Sequence, residues 1–207
     1  MYDTKKQRQN LNVCLTTSIL QIEGKEVSIP NVSTAIRHGI AYVPEDRKNL
    51  GLNLLDSIRK TIVSADLEKI IKHGLIDFDE ELKAAVEYKK AVSIKAASVD
   101  MGVTTLSGGN QQKVVLSKWM FTDPKILILD EPTRGIDVGA KYEIYKMIHV
   151  LAGQGMAVIL VSSELPELLG MADRIYTISE GRITGEISRG EADQEILMKR
   201  MTALAGE

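Results

Sequence analysis

Cysteine, phenylalanine and tryptophan are nearly absent from this sequence: its 207 residues hold one, two and one of them. The lone Cys14 excludes an internal disulfide and fits a reducing compartment. Aromatic residues at 4% leave too few rings for a base-stacking surface. Neither sign of charge predominates, since 26 Lys and Arg face 28 Asp and Glu. The formal charge of −2 and pI near 6.0 therefore give no general attraction to nucleic acid or anionic lipid. Long apolar runs are missing as well. Ala157–Val161, one of the longest, is far too short to cross a bilayer. The three histidines, His38, His73 and His149, have no ligand spacing, so no metal site is expected from them. Lys5, Lys6 and Arg8 do precede an apolar-leaning stretch over 11–20. That stretch carries Asn12, Thr16, Thr17 and Ser18 with no cleavage site after it, and reads as a polar start rather than a secretory signal.

What is present is an ordinary globular balance. Hydrophobic residues at 44% and charged residues at 26% suffice for one α/β domain with a small inserted lobe. Residues 1–20 are polar, basic and without period, and are set apart as an atypical N-terminus. Residues 21–52 follow as the first α/β part. They comprise a hairpin over 21–29 around a Gly24-Lys25 turn, a short helix over 33–38 ended by Gly39, and a buried strand at Ile40–Val43 stopped by Pro44. Residues 53–103 switch to helical spacing without a strand-like run, and are read as a helical subdomain. Residues 104–207 return to alternation. A helix over 107–122 is followed by a wholly apolar strand over 126–129, of the kind a parallel sheet covers on both faces. A helix over 140–152, a strand at Ala157–Val161 and two further strands over 174–178 and 182–187 complete a three-layer α/β pattern.

Two motifs carry chemistry. In Leu106-Ser-Gly-Gly-Asn-Gln-Gln-Lys113, Ser107, Gly108 and Gly109 open a helix. Unpaired N–H groups and a hydroxyl then stand at the positive end of a helix dipole, which suits a γ-phosphate. The same residues also suit an ordinary serine N-cap after a glycine turn. In Ile126-Leu-Ile-Leu-Asp130-Glu131-Pro-Thr133, an apolar strand runs into two acids at its carboxyl end, where open α/β sheets bind ligands. An Asp so placed helps to hold Mg²⁺ in phosphoryl transfer, and an adjacent carboxylate orients the attacking water. Asp130 alone could equally cap the next element.

Taken together, these residues resemble the signature and Walker B motifs of ATP-binding cassette proteins, with Arg134-Gly-Ile-Asp137 falling on the D-loop. Tyr42-Val-Pro-Glu-Asp-Arg-Lys48, Asn110 in place of the usual glutamine, Asp130 through Tyr145, and Ser162-Ser-Glu-Leu-Pro-Glu167 are similar to the second cassette of bacterial monosaccharide importer ATPases. The xylose and multiple-sugar branch is the nearest. The likeness runs from about residue 21 to the C-terminus.

The resemblance implies a P-loop NTPase-like core with a helical subdomain, ATP and Mg²⁺ as cofactors, and ATP-driven sugar uptake. It implies a second cassette and transmembrane permease subunits as partners, a periplasmic sugar-binding protein indirectly, no nucleic acid, and a place on the cytoplasmic face of the bacterial plasma membrane. By motif position, Asp130 falls to the metal and Glu131 to catalysis. Ser107, Gly108, Gly109, Asn110, Asp137, Glu45 and Ser163 fall to nucleotide contacts.

This sequence departs from the family pattern in three places. No stretch fits G-x-x-x-x-G-K-[ST], the loop whose N–H groups and lysine cradle the phosphates. Glu45 stands where the Q-loop glutamine of the usual cassette is expected, and Ser163 where its switch histidine is expected, two features that the resembled second cassettes share. The expectation is a truncated cassette lacking its first strand and phosphate-loop helix, with an uncovered sheet face or edge and a defective nucleotide site of its own. The family hydrolyses ATP, and the isolated chain, without that loop, is expected to be inactive. An alternative is a non-catalytic transporter-docking module that supplies only the signature motif to a partner cassette. A chromosome-maintenance ATPase head would share both motifs, but 53–100 is too short for the coiled coil it needs.

Overall fold

The computed structural model describes residues 19–202. The readings of Cys14 and of the polar start up to residue 18 lie outside the described residues. The chain divides into two units, residues 1–37 and 38–207, and each is described by itself.

In the first unit, β1 (Gln21–Ile22) and β2 (Lys25–Glu26) form a two-residue antiparallel ladder. The turn between them is Glu23-Gly24, both at positive φ, one residue earlier than the sequence suggests. Helix α1 (Val32–Arg37) follows, its start marked by Asn31, whose Oδ1 accepts the Thr34 N–H at 2.9 Å.

The second unit is built on a parallel sheet ordered β3-β6-β7, from β3 (Ile40–Val43), β6 (Ile126–Asp130) and β7 (Ala157–Val161). Before β6, the chain passes through a π-helical turn at Arg47–Gly51, α2 (Ile58–Val63), a hairpin of β4 (Ile71–Lys72) and β5 (Leu75–Ile76), α3 (Phe78–Ala91) and α4 (Gly108–Met120). After β6 come α5 (Val138–Gly153), then, beyond β7, α6 (Leu165–Met171), the antiparallel pair β8 (Arg174–Ser179) and β9 (Arg182–Ser188), and α7 (Gln194–Thr202). The β4–β5 hairpin corrects the strand-free reading of 53–100. His73 and Gly74 both take positive φ and close a tight turn, which the helical spacing around them conceals.

Strand pleating separates the two faces of the sheet. On one face Ala41, Val43, Leu127 and Leu129 are fully buried against Val114 and Val115 of α4 and Ile144 and Ile148 of α5. Complete burial of a leucine contributes roughly 1.5–3 kcal/mol, so this face anchors the unit. The register Tyr42↔Ile128↔Ile159 places these three on the opposite face, with Asp130 and Val161 two residues on. There Tyr42, Ile159 and Val161 are 45, 52 and 50% exposed. Among the described residues the sheet is thus packed on one side and open on the other. Cover on both faces of 126–129 is not found, since Ile126 and Ile128 remain only half-buried.

Helix ends follow local chemistry. Asp77 caps α3 by accepting the N–H groups of Asp79 and Glu80, with acids in the first turn and Lys89 and Lys90 in the last. A second, smaller core of Leu165, Ile175, Ile187 and Leu197 joins α6, β8, β9 and α7.

Candidate functional site

Two clusters of side chains flank the segment 134–137. The first surrounds the acids at the end of β6. The hydroxyl of Tyr42 donates to Asp130 Oδ2 at 2.8 Å. Burial first, then this hydrogen bond and the Asp130 charge, push the Tyr42 phenol up to about 12. Glu131 has φ of +46, a conformation that costs a non-glycine residue energy and persists only where neighbours enforce it. Its N–H is held by the Val161 carbonyl at 2.9 Å, and its Oε1 accepts the Ser163 backbone N–H at 2.7 Å. The exposed Ser163 therefore meets Glu131 through its main chain. Behind them, buried Glu167 accepts from Thr133 at 3.2 Å and from Ser162. Lys141 is held by Glu164 at 2.5 and 2.7 Å, and this partner raises its pKa.

The second cluster surrounds the start of α4. Ser107 is the N-cap, exposed, with an extended backbone and no side-chain capping bond. Asn110 Nδ2 donates to Ser107 Oγ at 3.0 Å, and Asn110 Oδ1 accepts the Lys95 N–H at 2.8 Å. A Cβ on Gly108 would lie 2.8 Å from Arg47 Nη2, and one on Gly109 would collide with the Ala140 side chain. Both glycines thus answer to packing within the chain as well as to any approaching anion.

The segment 134–137 is tied to its neighbours at three points. Glu45 pairs with Arg134, and Arg47 donates to the Arg134 and Gly135 carbonyls at 3.0 and 3.5 Å. Asp137 accepts the Ala140 N–H at 2.9 Å and caps α5. Glu45 therefore lies beside the D-loop segment, and Asp137 has one carboxylate oxygen engaged as a cap. The sequence reading assigned no roles to Tyr42, Arg47, Lys95 or Glu167. Tyr42, Arg47 and Glu167 stand inside the quoted motifs, which was the available signal. Lys95 had none.

The chemistry of the donor set can be compared with ATP and Mg²⁺. Asp130 and Glu131 supply carboxylate oxygens suited to a hard divalent ion. The phosphates find less: Arg134 is paired with Glu45 and Lys141 with Glu164, and no phosphate loop lies within these 207 residues. The start of α4 fits an anion better. The N–H groups of Gly108, Gly109 and Asn110 fall in the first turn of a 13-residue helix, beside the Ser107 hydroxyl.

Residues 9–134, more than half of the chain, match the family model described as ABC transporter. The chain is 57% identical over 182 residues to the L-arabinose transport ATP-binding protein AraG of Geobacillus stearothermophilus, covering 88% of this chain and 36% of that protein. It is 57% identical over 177 residues to the xylose import ATP-binding protein XylG of Geobacillus kaustophilus, covering 86% and 35%. It is 48% identical over 188 residues to the ribose import ATP-binding protein RbsA of Bacillus subtilis, covering 91% and 38%. The chain thus spans little more than a third of the length of the curated relatives it matches. Among solved structures it resembles a bacterial ABC transporter cassette, seen as a dimer in a post-hydrolysis state with ADP and Pi. The TM-score is 0.71 at 21% identity, over 89% of this chain and 80% of that one. That likeness fixes the α/β cassette fold.

Proposed function

The chain belongs to the ABC transporter family, and from that premise we propose that it is ATP-binding machinery of a sugar importer, presenting the start of α4 to ATP held on a second cassette. The carrying observation is Ser107, an exposed hydroxyl at the head of a long helix that caps no N–H of its own. The relatives named for arabinose, xylose and ribose import support the substrate class, and the dimeric cassette among the structural neighbours supports the second cassette.

In this reading Ser107 and the N–H groups of Gly108, Gly109 and Asn110 stabilise negative charge on the facing γ-phosphate. Bound with ATP, Mg²⁺ neutralises phosphate charge. On this chain's own side Asp130 is the candidate metal carboxylate and Glu131 the candidate water-orienting carboxylate, steadied by the Ser163 N–H. Glu45 holds the D-loop through Arg134, and Asp137 fixes where α5 begins. Because no phosphate cradle lies within the 207 residues, this chain taken by itself leaves the acid pair without a nucleotide to act on.

The partners proposed are a second cassette and transmembrane permease subunits, with an external sugar-binding protein acting through them. The location proposed is the cytoplasmic face of the plasma membrane. Among the described residues no helix is long and apolar enough to cross a membrane, which agrees with peripheral attachment through the permease.

The test is phosphate release by a reconstituted complex with a full partner cassette. Gly108→Asp puts a carboxylate where the γ-phosphate approaches, and release should fall sharply. Glu131→Gln keeps an oxygen for the Ser163 N–H and should leave release almost unchanged. The reverse pattern would assign a working nucleotide site to this chain.

A further inference from the structure

A serine at a helix N-cap ordinarily turns its oxygen toward an N–H two or three residues on. Ser107 does not; its Oγ faces Asn110 Nδ2 at 3.0 Å instead. The Asn110 amide has only one orientation available. Its other end meets the backbone N–H of Lys95 at 2.8 Å, a group that only donates, so the oxygen must lie there. The amide nitrogen is then the end toward Ser107, and it too only donates. Ser107 Oγ is consequently the acceptor, and its own O–H bond is turned away from Asn110. Among the described residues no acceptor takes that proton.

The Lys95 N–H is itself held in place. One turn along α4, Lys113 is only 2% exposed and donates to the Ser93 carbonyl at 2.9 Å. The same ammonium pairs with Glu143 on α5 at 2.7 Å, which holds the Glu143 carboxyl below its usual range. The loop at 93–95 is thus pinned to α4 at Asn110 and Lys113, three residues apart on one face.

We propose that Asn110 is a positioning residue that acts through Ser107: it engages the serine oxygen as an acceptor, so that the hydroxyl proton is presented outward to an anionic oxygen of the partner-held nucleotide. The proposal rests on the reading above that Ser107 faces such a nucleotide. It gives the Asn110 side chain a role apart from that of its backbone N–H, since each end of the amide already has a partner within the chain.

A double-mutant cycle in the reconstituted complex tests it, with phosphate release and thermal midpoint measured for each protein. Ser107→Ala should lower release about tenfold, the scale of one charge-assisted hydrogen bond. Asn110→Ala should lower it by a similar factor, and the double variant should be no slower than Ser107→Ala. Asn110→Asp can still accept from Lys95 but offers Ser107 an acceptor, drawing its proton inward, and should also be slow. Multiplying effects of the two alanine variants, or wild-type release by Asn110→Asp, would overturn the proposal. Unchanged release by Ser107→Ala would instead overturn the underlying reading of the site. Asn110→Asp retains the loop tether, so it keeps the test decisive if Asn110→Ala proves unstable.

Discussion

The Tyr42 hydroxyl lies 2.8 Å from Asp130 Oδ2, joining two residues 88 apart in the chain. They meet because Tyr42 pairs in register with Ile128 of β6, and Asp130, two residues on, shares its face. The phenol thus occupies one oxygen of the carboxylate that the cassette reading gives to the metal. Tyr42 is nearly half exposed, so water can replace the bond. Tyr42→Phe is expected to cost no more than about 1 kcal/mol in urea unfolding; a loss of several kcal/mol would show that water does not take its place.

Gly109 and Gly108 should respond differently to alanine. A Cβ at Gly109 meets the Ala140 side chain, which cannot swing aside because it is a single methyl on α5. Gly109→Ala should destabilise by roughly 1–3 kcal/mol, the range for overpacking. At Gly108 the obstacle is the flexible tip of Arg47, so Gly108→Ala should cost less. Equal unfolding midpoints for the two variants would contradict this.

Tyr88 supplies a pH prediction. Its hydroxyl donates to the Met120 carbonyl at 3.0 Å and its ring meets Phe121 edge-on at 6.0 Å. Burial first, then the charges of Asp123 and Glu87, push the phenol up to about 12 from 10.0. A folded-state pKa above the unfolded value gives stability that is complete below pH 10 and lost as pH rises through about 12. The thermal midpoint should fall over that window, and the fall should be shallower in Tyr88→Phe.

The open sheet face should promote association, because exposed apolar surface invites contact. Ile159→Thr combined with Val161→Thr keeps β-branched residues in β7 while lowering apolarity on that face. Sedimentation velocity should show a larger monomer fraction for the variant. Unchanged self-association would place the sticky surface elsewhere.

Much of the architecture was legible because apolar patterning and chain punctuation are local signals. Ile126-Leu-Ile-Leu129 and Ala157–Val161 announce strands by composition, and Gly39, Asp123-Pro124 and Gly153 mark helix ends. The β4–β5 hairpin was missed because two-residue strands are too short for alternation to register, and Leu75 and Ile76 are exposed rather than buried. The candidate site was legible as residue types. Ser-Gly-Gly at a helix start and Asp-Glu at a strand end are both contiguous in sequence.

What the sequence by itself determined is therefore the chemical inventory and its order: an anion-suited helix start, a strand ending in two acids, and no G-x-x-x-x-G-K-[ST] loop among 207 residues. Contiguous residues need no folding to be counted. Only the tertiary structure decided how each group is committed. It brought Tyr42 to Asp130, the Ser163 N–H to Glu131, Glu45 to Arg134, and the Lys95 N–H to Asn110. These partners lie 15 to 89 positions apart, and their meeting depends on strand register and on loops pinned from other elements. Hydrogen bonds act over about 3 Å; a pairing at that range is settled by packing, which sequence spacing does not encode.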